Sequence, residues 1–217
     1  EISAVQKISS VLYSPVIPTS NCIRNMLCSM AGVDVMHLRT NNLSDEETTA
    51  LEKASSILSE APLSFYDCSA RTLPEIGQQL CELRSHQNIR VCAIDRIQQV
   101  MTGTVFPPQE RTQELARIVW GLRSLAREMN LIMLVTTSLN RRCERRFDKR
   151  PRLSDLQGCG ELEEASDTVL LLHRPEYYDE DDSPGKAEIL VAKGRYRALG
   201  VATLQFDGQF FRFRTTP

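Results

Sequence analysis

The stretch Val91-Cys-Ala-Ile-Asp95-Arg-Ile-Gln-Gln-Val100 decides how this chain is read. Four apolar residues, bounded by polar ones, form a short strand of the fully buried kind. The run ends at one carboxylate, Asp95, and then breaks. At the carboxyl end of a buried strand in an α/β nucleotide-binding domain, an Asp can hold Mg²⁺ through its water shell. The residues alone also allow a helix cap or an ion-pair partner. Such a strand belongs with an earlier glycine-rich loop, G-x-x-x-x-G-K-[ST], whose backbone cradles phosphates. None of the 217 residues spells that loop.

Working outward, short β-rich runs alternate with helical patterns, which predicts a mostly parallel sheet. The candidate strands are residues 10–13, 63–66, 91–94, 131–136 and 168–172. Ser44-Asp-Glu-Glu47 and Thr72-Leu-Pro-Glu75 both have the form of a capping box, in which the first residue and the fourth satisfy each other's backbone N–H. They open helices expected to reach about Ser59 and Arg84. The longest helix is expected over 110–129, where Leu115, Ile118, Val119, Leu122, Leu125 and Ala126 recur at the helical period. Toward the end, 186–192, 200–206 and 209–213 read as consecutive strands, with Asp207-Gly208 as a hairpin turn. These give an antiparallel C-terminal extension, and the whole of 1–217 reads as a single domain.

Composition narrows the function. A net charge of −2 and a pI near 6.0 exclude a wholesale polyanion binder, so nucleic acid would have to meet a local patch. Seven cysteines and three histidines, without a C-x-x-C pair, show no zinc spacing. The cysteines read as reduced core residues, which places the chain in the cytoplasm or an equivalent reducing compartment. No apolar run approaches the roughly 18 residues of a membrane span.

Three other segments carry candidate chemistry. Leu134-Val-Thr-Thr-Ser138-Leu-Asn140 is a second apolar strand running into polar side chains, suited to sensing a phosphate or closing a turn. Arg141, Arg142, Arg145, Arg146, Lys149, Arg150 and Arg152 form a basic segment dense enough for phosphate contacts, or a solvated loop. Phe147 is its only aromatic residue, which argues against base stacking there. Gln157, Gly158 and Gly160 lie in a glycine-bearing turn whose N–H groups could meet phosphate oxygens. Lys193, Arg195 and Arg197 project from a strand end, either to deliver charge to a phosphate or as an ordinary basic hairpin.

Taken in order, these segments resemble the C-terminal motor domain of the DnaB family of replicative hexameric DNA helicases. The resemblance runs from about Ser10 to Phe213. It is carried by Arg39-Thr-x-x-Leu43-Ser-Asp-Glu-Glu47, Ala93-Ile-Asp95-Arg-Ile-Gln98, Glu110-Arg-Thr-Gln-Glu-Leu-Ala116, Ser138-Leu-Asn-Arg141, Asp148-Lys-Arg-Pro151, Ser154-Asp-Leu156, Leu172-His-Arg174 and Ala187 through Arg195. The resemblance implies a RecA-like P-loop NTPase core, with helices on both faces of a mostly parallel sheet, assembled as a ring around single-stranded DNA. ATP and Mg²⁺ would be its cofactors. Neighbouring helicase subunits would be its partners, with a helicase loader or primase besides, and no membrane. Asp95 would be the Mg²⁺-associated carboxylate, with Ser138 and Arg174 also at the nucleotide. Lys193 and Arg195 match positions that reach a neighbour's γ-phosphate. Arg146, Lys149, Arg150, Gln157, Gly158 and Gly160 would track DNA.

The chain also departs from the family pattern. The phosphate loop is missing, the first residues falling about where the helix after it would end. Val16 stands where a water-activating carboxylate belongs, and Ser138 where the family has a phosphate-sensing Gln. Gln157-Gly158 replaces an Arg-Glu pair, and Gly194 replaces a Gln. The expectation is a helicase motor domain degenerate in its own ATP site and inactive alone. The alternatives are an active helicase whose phosphate loop lies upstream, and a catalytically silent module that binds and regulates a replicative helicase or its loader.

Overall fold

The computed structural model describes residues 1–67, 71–107, 110–158, 160–196 and 198–215. Cys68, Cys159 and Arg197 therefore lie outside the described residues. The chain divides into two compact units. The first holds Glu1–Cys22, Ser56–Ser138 and Gly158–Ala165, and the second holds Ile23–Ser55, Leu139–Gln157 and Ser166–Pro217.

The first unit is built on a parallel sheet. Its strands β1 (Ser10–Tyr13), β2 (Leu63–Tyr66), β4 (Val91–Ile94) and β6 (Ile132–Val135) lie in the order β2-β1-β4-β6. All three pairings are parallel and in register, so Tyr13 stands between Tyr66 and Ile94, and Ile94 beside Val135. A two-stranded parallel pair, β3 (Arg71–Thr72) with β5 (Val100–Met101), stands apart from it. Two helices pack on the four-stranded sheet. From α4 (Leu73–Gln87) come Ile76, Leu80 and Leu83, and from α5 (Arg111–Glu128) come Leu115, Ile118, Val119 and Leu122. They meet Val11, Tyr13, Cys92 and Ile94 in one core, where each large aliphatic side chain contributes about 1.5–3 kcal/mol. Thr72 caps α4 as the sequence predicts. Its Oγ1 accepts from Glu75 N at 3.4 Å and its own N donates to Glu75 Oε2 at 2.8 Å.

The second unit contains α2 (Val35–Thr40) and most of α3 (Asp45–Ser59). Ser44 and Glu47 close the predicted box at the start of α3, at 3.1 and 2.9 Å. Helix α1 (Thr19–Ala31) begins in the first unit and ends in the second. Strands β7 (Thr168–His173), β8 (Lys186–Gly194), β9 (Gly200–Asp207) and β10 (Arg212–Thr215) form an antiparallel sheet in the order β10-β9-β8-β7.

The α/β class, the parallel sheet and the antiparallel C-terminal strands follow the sequence reading. Two details differ. Residues 168–172, read as another strand of the parallel sheet, pair with β8 in the antiparallel one. Asp207-Gly208 is not a two-residue turn. A turn of 3₁₀ helix over Gly208–Phe210 intervenes, with Phe211 at φ 48° before β10 begins. No helix among the described residues is long and apolar enough to cross a membrane.

Candidate functional site

Parallel register fixes what gathers at one edge of the first unit. Because Tyr13, Ile94 and Val135 are aligned, the residues that follow them emerge together. Asp95 N donates to Tyr13 O at 2.9 Å, and Thr136 N to Ile94 O at 3.0 Å. Thr136 Oγ1 then donates to Asp95 Oδ1 at 2.5 Å. The half-buried Asp95 is thus oriented by a hydroxyl from the neighbouring strand end.

The turn after Asp95 is tied to the same polar run. Ile97 N donates to Thr136 O at 3.1 Å, Gln98 Nε2 to Thr137 Oγ1 at 2.7 Å, and Arg96 Nη1 to Ser138 Oγ at 3.4 Å. From α5, Arg111 Nη2 reaches the carbonyls of Gln98 (2.7 Å) and Val100 (3.1 Å). Arg111 also pairs with the buried Glu114, whose Oε1 accepts from Thr102 N at 3.1 Å. Below the edge, burial pushes the Cys92 thiol up to about 12 and raises the Tyr13 hydroxyl well above the usual range.

Val16 lies exposed between β1 and α1. The carboxylate that reaches this segment is Asp67, just past β2. Its Oδ2 accepts from Thr19 N, at the start of α1, at 3.1 Å, and that bond holds its pKa below the ordinary range.

In the second unit the basic segment is anchored by carboxylates. Arg146 meets the buried Asp155 through Nη1 (2.9 Å) and Nη2 (2.7 Å). Arg150 grips the buried Glu188 of β8 through Nε (2.7 Å) and Nη2 (2.9 Å), and Lys186 Nζ lies 3.1 Å from the same carboxylate. These hydrogen bonds, Arg150 foremost, hold the Glu188 carboxyl at about 2. Lys149 Nζ stands 5.4 Å from the centre of the Tyr178 ring. Directly across the ladder from Glu188 is His173, buried and stacked on Tyr178, its pKa lowered by burial.

The remaining candidates fall into two groups. Arg174 lies over the Phe206 ring at 3.8 Å and pairs with Glu176. Arg195 N donates to Asp167 O at 2.8 Å, and its Nη1 lies 3.2 Å from Asp167 Oδ1, both side chains substantially exposed. Lys193 stands opposite Val169 at the end of β8. Gln157, Gly158 and Gly160 are exposed. Gly158 has φ +132°, and a Cβ there would approach Leu115 Cδ2 to 2.2 Å, so the position requires glycine. Asp95, Ser138, Gly158 and Gly160 belong to the first unit; Arg146, Lys149, Arg150, Gln157, Arg174, Lys193 and Arg195 belong to the second.

Sequence reasoning missed Thr136 as the group that orients Asp95, although it had marked that strand's polar exit. It also missed Arg111 and Glu114, which pin the segment after Asp95. An Arg and a Glu one helical turn apart, at the start of an otherwise apolar-faced helix, were the available signal.

A parallel sheet whose central strand ends in an oriented carboxylate, with an antiparallel set of strands following, is the arrangement of a RecA-like α/β fold. The structure aligns with a solved structure described as an ATPase domain, at a TM-score of 0.92 and 23% identity over 99% of this chain and 76% of that one. It aligns equally with a DnaB-like replicative helicase described with its interactions with primase, at a TM-score of 0.91 and 23% identity, covering 99% of this chain and 52% of that one. The chain belongs to the family of the DnaB-like helicase C terminal domain, whose model matches residues 1–215. It is 32% identical over 212 residues to the replicative DNA helicase DnaB of Mycobacterium leprae, and 30% identical over 206 residues to the replicative DNA helicase DnaC of Bacillus subtilis. Those matches take in 97% and 94% of this chain but 35% and 45% of the relatives, so the chain spans less than half of their length.

Proposed function

We propose that this chain is a motor segment of a replicative DNA helicase that works on single-stranded DNA within a ring of like subunits, with ATP and Mg²⁺ as cofactors. The observation that carries the reading is Asp95, held at the exit of β4 by Thr136, in a chain of the DnaB-like family. The donor set fits Mg²⁺, which takes one or two carboxylates and fills its remaining positions with water and phosphate oxygens. Thr136 engages Asp95 Oδ1, which leaves Oδ2 for a metal-bound water. When bound, Mg²⁺ neutralises charge on the phosphoryl group in transfer. Asp95 would hold its water shell, Thr136 would fix the carboxylate, and Arg96 and Gln98 would hold the turn against residues 137 and 138.

The test is DNA-stimulated ATP turnover and strand unwinding by the assembled protein. Asp95→Asn should lower both by about 10²-fold or more. Turnover unchanged by that substitution would sink the reading.

A second reading has its own support. Val16 offers no carboxylate to activate a water, and Ser138 is engaged by Arg96. Loss of a general base costs about 10²–10⁴ in rate. On this reading the subunit is silent and regulates, or completes, an active neighbour. Mixing the chain with an active helicase of the family should then alter ATP turnover or ring assembly, and no change in either would exclude it. Primase and a loader are the further partners proposed.

A further inference from the structure

Phe147 is fully exposed, at 107% of its reference surface, in the middle of the basic segment. Its backbone is not slack. Arg146, immediately before it, binds the buried Asp155 and also donates to the carbonyls of Asp148 (3.4 Å) and Arg150 (2.7 Å). Asp148 Oδ1 accepts from Arg150 N at 3.0 Å, and Arg150 is staked on Glu188. One side chain and two ion pairs therefore close a turn that carries Phe147 outward. Leaving a phenyl ring in water on a fixed turn forgoes the stabilisation of burying it. A flexible loop could fold such a ring away; this one is braced in the open position.

The charge around the ring indicates what covers it. Arg141, Arg142 and Arg145 are exposed, and none has an ion pair among the described residues. The carboxylates Asp155 and Glu188 are buried, neutralised by the arginines that brace the turn. The segment that carries the ring thus presents three exposed arginines beside the exposed Glu144 and Asp148, a net positive stretch, and proteins hold single strands by stacking bases on aromatic rings while cations follow the phosphates.

We propose that Phe147 is a stacking platform for an unpaired base, with Arg141, Arg142 and Arg145 meeting the adjacent phosphates. This rests on the proposed action on single-stranded DNA and adds a base contact to a segment whose sequence indicated only phosphate contacts. The experiment uses the full chain and fluorescence anisotropy with two labelled strands, oligo-dT of about 20 nucleotides and an abasic strand of equal length. Phe147→Ala should weaken oligo-dT binding by about 5- to 150-fold, leave abasic binding and the salt slope unchanged, and leave the melting temperature unchanged. Phe147→Trp should restore binding and show indole quenching that the wild type, with Trp120 alone, does not. Equal binding of oligo-dT by wild type and Phe147→Ala overturns the stacking role and leaves the helicase reading standing. Equal loss on both strands also overturns it, as a structural effect. No binding of either strand by the wild type at low salt overturns both. Loss of a helicase-ring pull-down with DNA binding intact would assign the ring to a protein partner and overturn it too.

Discussion

Replacing Glu188 by Gln keeps the shape of the side chain and removes the charge that Arg150 and Lys186 surround. The carboxyl lies at about 2 against its usual 4.5, and at about 1.36 kcal/mol per pH unit that gap corresponds to about 3 kcal/mol of folding stability at neutral pH. Glu188 is 2% exposed, but the Arg150 side chain is half exposed, and solvent screening lowers the expectation to about 2 kcal/mol. For a chain of this size that is a drop of about 4–8 °C in melting temperature. The direction with pH follows from the depressed value. The contribution is complete above the unfolded pKa, near 4.5, and is lost as pH falls through the folded value near 2. Thermal unfolding followed by circular dichroism at pH 7, 4.5 and 3 should therefore show the two proteins far apart at pH 7 and converging in acid. Coincident melts at pH 7, or a gap that persists undiminished at pH 3, would refute the assignment of this ion pair as a brace.

Other outcomes follow from single residues. Gly158→Ala should destabilise by about 1–3 kcal/mol, because φ +132° is unfavourable for alanine and its Cβ runs into Leu115; denaturant titration measures it. Under native alkylation Cys81, which is exposed, should label before Cys92, which is buried with its thiol near 12 and should label only on unfolding; peptide mass mapping separates them. The imidazoles of His37 and His173 should titrate on opposite sides of 6.5 by NMR. Glu47 lies 2.8 Å from His37 Nδ1 and raises its pKa, and burial lowers that of His173.

The elements were legible where one local signal sufficed. Capping boxes at Ser44 and Thr72 and the apolar stripe of α5 placed three helices to within a few residues. Helices α1 and α2 were not read: α1 exposes Met30 and buries only Cys28 fully, so its apolar period is weak. Strand membership was not legible either. Val169–Leu172 is as apolar as Ile132–Val135, and nothing local says that one pairs antiparallel and the other parallel. Asp95 was visible because a carboxylate interrupts a buried strand. Its partner Thr136 was not, since the register that joins them spans 41 residues.

The same limit governs the basic segment, and there it yields a number. Seven cations in sequence, all on phosphate, would give a single-strand salt slope contribution of about −5, at about 0.7 per contact. In the fold several of them are already paired with carboxylates. Arg146 is held by Asp155, Arg150 by Glu188, and Arg152 sits close enough to Asp155 to lower its pKa. Arg141, Arg142 and Arg145 remain, with Lys149 half-covered against Tyr178, for a contribution of about −2 to −3. Arg145→Gln should therefore flatten the plot of log affinity against log salt by about 0.7. The double variant Arg150→Gln with Glu188→Gln, which removes the ion pair without orphaning either member, should leave the slope alone while lowering the melting temperature. If the double variant flattens the slope as much as Arg145→Gln does, Arg150 leaves Glu188 for DNA, and the brace beneath Phe147 opens when the strand binds.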